Sequence, residues 1–250
     1  KTPKTFKASL MASLLGAEAH VEQSTGERFN YIIGARYRSN AYLLNALPTQ
    51  GSYNPVFTDA QISTNLKLTD KLTWSTLLHY SSNNYRFSPE TSETDFGTAN
   101  EAYSFKIYFD GQEQTKFETM MGGVSLKWKP SEKTNLDLYA TAFQTTEREY
   151  FDIQGQYFIN ELETDPSKEE YGDSIAVLGI GTFLNHARNR LDATIINIYH
   201  NGKHEFFNGF TDESRLRYRN HHMRWGLSFQ MDQFNDVLSE WRMIDSAGYS

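Results

Sequence analysis

Leu72-Thr-Trp-Ser-Thr-Leu-Leu-His-Tyr80 decides how this chain reads. Leu72, Trp74, Thr76, Leu78 and Tyr80 share one parity, and Thr73, Ser75, Leu77 and His79 share the other. Side chains on a strand alternate between faces with period two, so the stretch predicts a strand with one apolar and one mostly polar face. The segment before it behaves alike. Ala60, Ile62, Thr64, Leu66 and Leu68 oppose Gln61, Ser63, Asn65 and Lys67. Between the two, Thr69-Asp70-Lys71 fits a compact hairpin turn, because an Asp side chain bonds readily to its neighbouring backbone.

The same alternation recurs along the chain. Met120, Gly122, Val124, Leu126 and Trp128 oppose Gly123, Ser125 and Lys127, and the turn Lys129-Pro-Ser-Glu-Lys133 follows. Leu136, Leu138, Ala140 and Ala142 then oppose Asp137, Tyr139 and Thr141. Near the end, Met223, Trp225, Leu227, Phe229 and Met231 oppose Arg224, Gly226, Ser228, Gln230 and Asp232; near the start, Tyr31, Ile33, Ala35 and Tyr37 oppose Asn30, Ile32, Gly34 and Arg36. Another strand is expected near Leu191–His200. None of these stretches carries the i, i+3, i+4 stripe of an amphipathic helix. Prolines 3, 48, 55, 89, 130 and 166 all fall in expected termini, turns or loops, as strand interiors demand.

Short links at about 23–28, 69–71 and 129–134 alternate with long polar ones at about 39–57, 86–116, 147–187 and from 235 onward. A further link, about 205–220, is longer than the other short ones. The expected fold is all-β: an antiparallel transmembrane β-barrel segment of about eight strands across residues 1–250, with short periplasmic turns and long extracellular loops. Trp74 follows one short turn, Trp128 precedes another, and Trp225 follows the 205–220 link, all on the apolar parity and at one end. Trp prefers the membrane–water boundary, where its ring is in oil and its N–H stays wet, so these three predict an interface girdle. The competing structural reading is a soluble β-sandwich with three core tryptophans, an architecture with no reason to sort short and long links by end.

Composition is compatible with that reading. The 250 residues carry 24 Lys and Arg against 31 Asp and Glu, a net charge of −7, with no Cys, 38% hydrophobic and 14% aromatic residues. The absence of Cys excludes disulfides, thiolate zinc sites, iron–sulfur clusters and cysteine nucleophiles. The acidic balance argues against a nucleic-acid partner. A mean hydropathy of −0.62 with no long apolar run excludes helical spans. It does not exclude a barrel, whose strands wet half of their residues. Lys1 to Phe6 does not read as a secretory signal, and the chain is expected to be an internal piece of something longer.

Chemical motifs are sparse, and neither a cofactor nor a metal is expected. His200 and His204 have zinc spacing only on a helix; on a strand they sit about 13 Å apart. Neighbouring His221 and His222 would face opposite ways. Gly179-Ile-Gly-Thr-Phe-Leu184 has two glycines of a nucleotide fingerprint and no following helix. The expected loops are rich in carboxylates and aromatics. Tyr103, Tyr108, Asp110, Tyr150, Tyr157 and Trp241 are the candidate extracellular ligand contacts, since exposed rings beside acids suit a sugar or similar ligand.

Several longer stretches carry a resemblance: Phe29-Asn-Tyr-Ile-Ile-Gly-Ala-Arg-Tyr37, Tyr42-Leu-Leu-Asn45, Tyr53-Asn-Pro-Val-Phe-Thr-Asp59, Asn84-Tyr-Arg-Phe87 and Tyr108-Phe-Asp-Gly-Gln112. Further on come Phe151-Asp-Ile-Gln-Gly-Gln-Tyr157, His186-Ala-Arg-Asn189, Leu238-Ser-Glu-Trp241 and Asp245-Ser-Ala-Gly-Tyr249. From about residue 5 to the end, the chain resembles the early barrel of Bacteroidetes-type TonB-dependent receptors. The resemblance implies a plugged barrel of about 22 strands in the outer membrane of a Gram-negative bacterium, importing a glycan, siderophore or similar ligand. It implies TonB as a partner acting through the plug, contact with outer-membrane lipid, and for some members a surface lipoprotein lid. It implies no enzymatic activity and no catalytic residue. The chain shows no TonB box, plug or terminal aromatic-ended strand, so an internal barrel segment is expected. Two other functions remain open on the residues: a small self-contained barrel, porin-like or a barrel enzyme pairing a Ser with His79 or His186, and a soluble sugar-binding sandwich.

Overall fold

The computed structural model describes residues 3, 5–47, 51–208 and 219–246. It consists of β1 (Lys7–Ser13), β2 (Gly16–Thr25), β3 (Phe29–Ser39), α1 (Ala41–Leu44), β4 (Gly51–Thr69), β5 (Leu72–Pro89), β6 (Ser92–Gly97), β7 (Ala102–Ser131), β8 (Thr134–Leu162), β9 (Ser174–Asn208), β10 (Arg219–Val237) and β11 (Glu240–Ser246). All strands belong to one sheet of eleven, ordered β1-β2-β3-β4-β5-β7-β8-β9-β10, with β6 on β7 and β11 on β9. Every pairing is antiparallel.

Register turns the alternation of single strands into rows, because directly paired residues share a face. One row runs Ala8–Val21–Ile33–Ile62–Leu78–Gly122–Ala142–Ile196–Met231, apolar on all nine strands of the meander. On the opposite face, Ser24–Asn30–Asn65–Ser75–Ser125–Tyr139–Tyr199–Ser228 is polar throughout. That polar row bonds laterally. Asn65 Nδ2 donates to Asn30 Oδ1 at 3.0 Å, Ser75 Oγ donates to Asn65 Oδ1 at 2.6 Å, and the Tyr139 and Tyr199 rings stack with centroids 4.6 Å apart.

Among the described residues the sheet has no second layer. Among the described residues the only buried hydrophobic side chains are Ala187 and Ala193, while Leu227 is 76% and Phe229 59% exposed on the apolar face. The accessible surface, 17909 Å² for 28.8 kDa, far exceeds the roughly 11,000 Å² of a compact monomer of that mass. The sandwich reading needs an apolar interior between two sheets, and these strands supply none.

Several sequence expectations are revised. The strands exceed about eight, because Lys7–Ser13 is a strand and β6 and β11 add short ones. The stretches 86–116 and 147–187 are largely strand: β7, β8 and β9 have 30, 29 and 35 residues. Their outer portions lack alternation because polar groups occupy both faces, yet Tyr, Phe, Ile and Thr still favour extended backbone. Pro55 lies inside β4, opposite Tyr85. The β3 pairing with β4 stops at Val56, so Pro55 occupies a stretch with one free edge, where a missing N–H is tolerated. The links around 26–28, 70–71 and 132–133 lie at one end of the sheet. The links 40–50 and 163–173 lie at the opposite end, as does the two-residue Leu14-Leu15, while residues 209–218 join β9 to β10 at the first end. Most of the 205–220 link, Pro48 and the end of the Asp245–Tyr249 stretch lie outside the described residues.

Candidate functional site

The apolar face forms a band. Along β5 it runs from Leu72 to Tyr80, nine residues, against the about 9–11 a tilted strand needs to cross a bilayer. Ile33, Leu66, Leu78, Leu126, Leu138 and Leu227 all lie on this face; Arg36, Asn65, Lys67, Lys127, Asp137 and Arg224 lie on the other. At the short-link end, one row reads Leu72–Trp128–Leu136–Gly202–Trp225, and the next reads Leu66–Trp74–Leu126–Leu138–His200–Leu227. The three tryptophans therefore share one face and one rim. Each is more than a third exposed, Trp128 the most at 47%.

Their polar edges have partners. Trp74 Nε1–H donates to Thr76 Oγ1 at 2.9 Å, and Trp225 Nε1–H donates to His200 Nε2 at 3.2 Å. His200 Nδ1 donates to the Asp137 carbonyl at 3.0 Å, which fixes the tautomer that accepts from Trp225. Gly202 makes the room: a Cβ there would sit 2.0 Å from the Trp225 ring. The opposite rim, which single-strand reading missed, carries Tyr37 and Tyr80, with Tyr80 Oη donating to Glu118 at 3.2 Å. Its signal was present in the sequence as tyrosines closing two apolar runs.

Beyond that rim the long strands form an arm, and the six candidate contacts divide between its faces. Tyr150 and Trp241 come together, with His186, Arg188 and Asp152 between them. Trp241 stacks on the His186 ring at 4.8 Å, and the Arg188 guanidinium lies 5.7 Å from the Tyr150 ring. Asp152 accepts from Arg188 and is hydrogen-bonded to His186. The Arg188 bond foremost, then the His186 bond, hold the Asp152 carboxyl below its ordinary range. Asp110 and Tyr108 lie further along the same face. Asp110 accepts from the Gly111 amide at 2.8 Å, and Tyr108 packs edge-on against Phe158 at 5.8 Å. Tyr103 and Tyr157 point to the other face, beside Phe96 at 5.7 Å and Phe105 at 6.0 Å. The six do not converge on one pocket.

The His186–Asn189 and Leu238–Trp241 motifs meet each other. The Arg188 amide donates to the Ser239 carbonyl at 2.8 Å, and the Ser239 amide donates to Asn189 Oδ1 at 3.1 Å. Asn189 Nδ2 donates to Glu149 and Glu240. Pairing on both sides of this junction keeps one register, so β11 extends the line of β10 past a two-residue break that the Asn189 side chain bridges.

Shallow depressions among the described residues are lined mainly, though not solely, from the polar face. One, about 450 Å³, is lined by Arg36, Asp59, His79, Ser81 and Asn83, with Arg36 Nε 2.7 Å from Asp59 Oδ2. Another, about 350 Å³, is lined by Thr115, Phe117, Glu147, Glu149 and Asn189 together with Arg148 and Arg190. Among the described residues no serine hydroxyl bonds to His79 or His186, and no group of three or more His, Asp or Glu could hold a metal. No described helix is long and apolar enough to cross a membrane. No family model, curated protein or solved structure matches the chain.

Proposed function

We propose that this chain forms part of the barrel of a TonB-dependent receptor in the outer membrane of a Gram-negative bacterium. In this reading the apolar band faces lipid, the polar face lines the lumen or contacts the plug, and the long arm stands outside the cell. The observation that carries the membrane reading is the exposed apolar row across nine strands, rimmed by Trp on one side and Tyr on the other. Nothing in the sheet covers that band, and hydrocarbon is the medium that would. The receptor reading beyond it rests on the sequence resemblance.

Strand direction favours a larger barrel over a self-contained one. In an antiparallel meander of nine, β1 and β10 run the same way, so joining them directly would require a parallel pair. Open edges are not tolerated in hydrocarbon, so both edges call for further strands. Import of a glycan, siderophore or similar ligand, coupling to TonB through a plug, and a surface lipoprotein lid follow from the same proposal, with no covalent chemistry assigned. The test compares Leu126→Arg with Leu126→Val for assembly into outer membranes. The Arg variant should assemble far less well, and equal assembly of the two would overturn the assigned facing.

A further inference from the structure

The membrane-side face changes character abruptly above the apolar band. The row Tyr80–Met120–Gln144–Thr194 closes the band, and Ser82–Glu118–Thr146–Asp192 follows. The next two rows on that face are Asn84–Lys116–Arg148–Arg190 and Arg86–Gln114–Tyr150–Arg188. Two adjacent rows on four adjacent strands therefore gather Arg86, Lys116, Arg148, Arg188 and Arg190. Neighbouring strands lie about 4.8 Å apart, so Lys116 and Arg190 are about 10 Å apart at the backbone. The carboxylates on the same patch are Glu118, Asp192 and Asp152, so five cations face three anions in a chain whose net charge is −7.

The pairing within the patch is incomplete. Lys116 Nζ lies 3.0 Å from Glu118, Arg148 holds Asp192 at 2.8 Å, and Arg188 holds Asp152. Arg86 and Arg190 are exposed and make no hydrogen bond or close ion pair among the described residues, Arg190 acting on Asp192 only through its charge at longer range. A guanidinium free on both donor edges is suited to bidentate recognition of phosphate.

Position selects the source of that phosphate. The first basic row lies four residues beyond Tyr80, about 13 Å along the strand and about 10 Å along the membrane normal at the usual tilt. Lys and Arg stems are long enough to reach down from there into the headgroup layer. We infer that Arg86 and Arg190, flanked by Lys116, Arg148 and Arg188, form a docking site for the phosphates of an anionic outer-leaflet lipid. The inference rests on the barrel reading and adds to it a fixed lipid contact at one sector of the wall.

The test uses the intact protein carrying Arg86→Ser with Arg190→Ser, together with Arg86→Lys with Arg190→Lys, and Arg224→Ser on the polar face as a control. Insertion is measured first, by flotation with phosphatidylcholine vesicles. Binding is then titrated in detergent with diphosphorylated lipid A, with the same lipid stripped of its phosphates, and with inorganic phosphate. The expected result is insertion by every variant and phosphate-dependent lipid binding by the parent and by Arg224→Ser. The double Ser variant should bind at least about tenfold more weakly, with partial recovery in the double Lys variant. Lipid binding that ignores the phosphates or the double Ser change overturns the inference and leaves the barrel reading standing. Inorganic phosphate competing on equal terms with the lipid overturns the lipid assignment. Failure of the parent to insert overturns both.

Discussion

Ile198 and Asn197 are consecutive residues of β9, and an Arg placed at one should behave quite differently from an Arg placed at the other. Ile198 lies in the row Gln23–Tyr31–Thr64–Thr76–Val124–Ala140–Ile198–Phe229, two rows from the Trp128–Trp225 rim and two from the row of Tyr80 that closes the band. On the proposed barrel reading that places it about 10 Å from either rim along the membrane normal, near the midplane, where a lipid-facing Arg costs about 2–4 kcal/mol. Each 1.4 kcal/mol is about a factor of ten, so Ile198→Arg should shift the folding equilibrium by roughly 30- to 700-fold. Asn197 belongs to the polar face. It lines a depression of about 320 Å³ with Tyr199, Asn201, Ser228 and Gln230, which gives an Arg side chain space and polar neighbours. Asn197→Arg should therefore leave folding nearly unchanged. Trp128→Arg, at the rim, should cost about 0–1 kcal/mol through its charge. The assay is urea-dependent refolding of the intact protein into phosphatidylcholine vesicles, followed by the heat-sensitive gel mobility of folded barrels. Equal destabilisation by Ile198→Arg and Asn197→Arg, or a larger effect at Asn197, would refute the assignment of faces.

Three further outcomes follow from local geometry. Gly111 sits in β7 at φ +102°, and a Cβ there would lie 1.9 Å from the Asp152 carbonyl oxygen, so Gly111→Ala should strain the arm by about 1–3 kcal/mol. Hydrogen exchange should then quicken around 108–114 and 150–155 while the band stays protected. Asn189→Ala should leave the Ser239 amide and two carboxylates without their partner, at about 1–3 kcal/mol, raising exchange at 237–241. Asn189→Asp should be worse, since it sets a third carboxylate beside Glu149 and Glu240. Finally, the arm should loosen in acid. Bonds from Arg188, Lys106 and Lys168 lower Asp152, Glu93 and Glu163 from ordinary values of 3.8, 4.5 and 4.5. Depressed carboxyls stabilise the folded form above those ordinary values, and the contribution fades as pH falls through the lowered ones. Exchange protection in the arm, corrected for intrinsic rate, should hold from neutrality to about pH 5 and decline below about pH 4. No such decline would contradict the ion-pair account.

What could be read from the sequence depended on the polarity of each face. Within the band one face is apolar and the other polar, so Leu72–Tyr80 and its five counterparts alternate visibly, and the three rim tryptophans announce their side. Outside the band both faces carry polar groups, so β7 to β9 lose their periodicity, and stretches that pair for dozens of residues read as loops. In the sequence Tyr150 and Trp241 read separately, each as an exposed aromatic. Nothing in either neighbourhood reveals that His186, Arg188 and Asp152 bring them to one place.

The sequence by itself determined the strand class, the facing of the band and the end at which its tryptophans lie, because each follows from period-two chemistry within nine or so neighbouring residues. Only the tertiary structure decided the rows. Arg86, Lys116, Arg148 and Arg190 are scattered over more than a hundred residues of sequence, and it is the antiparallel register of β5, β7, β8 and β9 that sets them side by side. A shift of one residue in any of those pairings would send a whole strand's side chains to the other face and dissolve the patch.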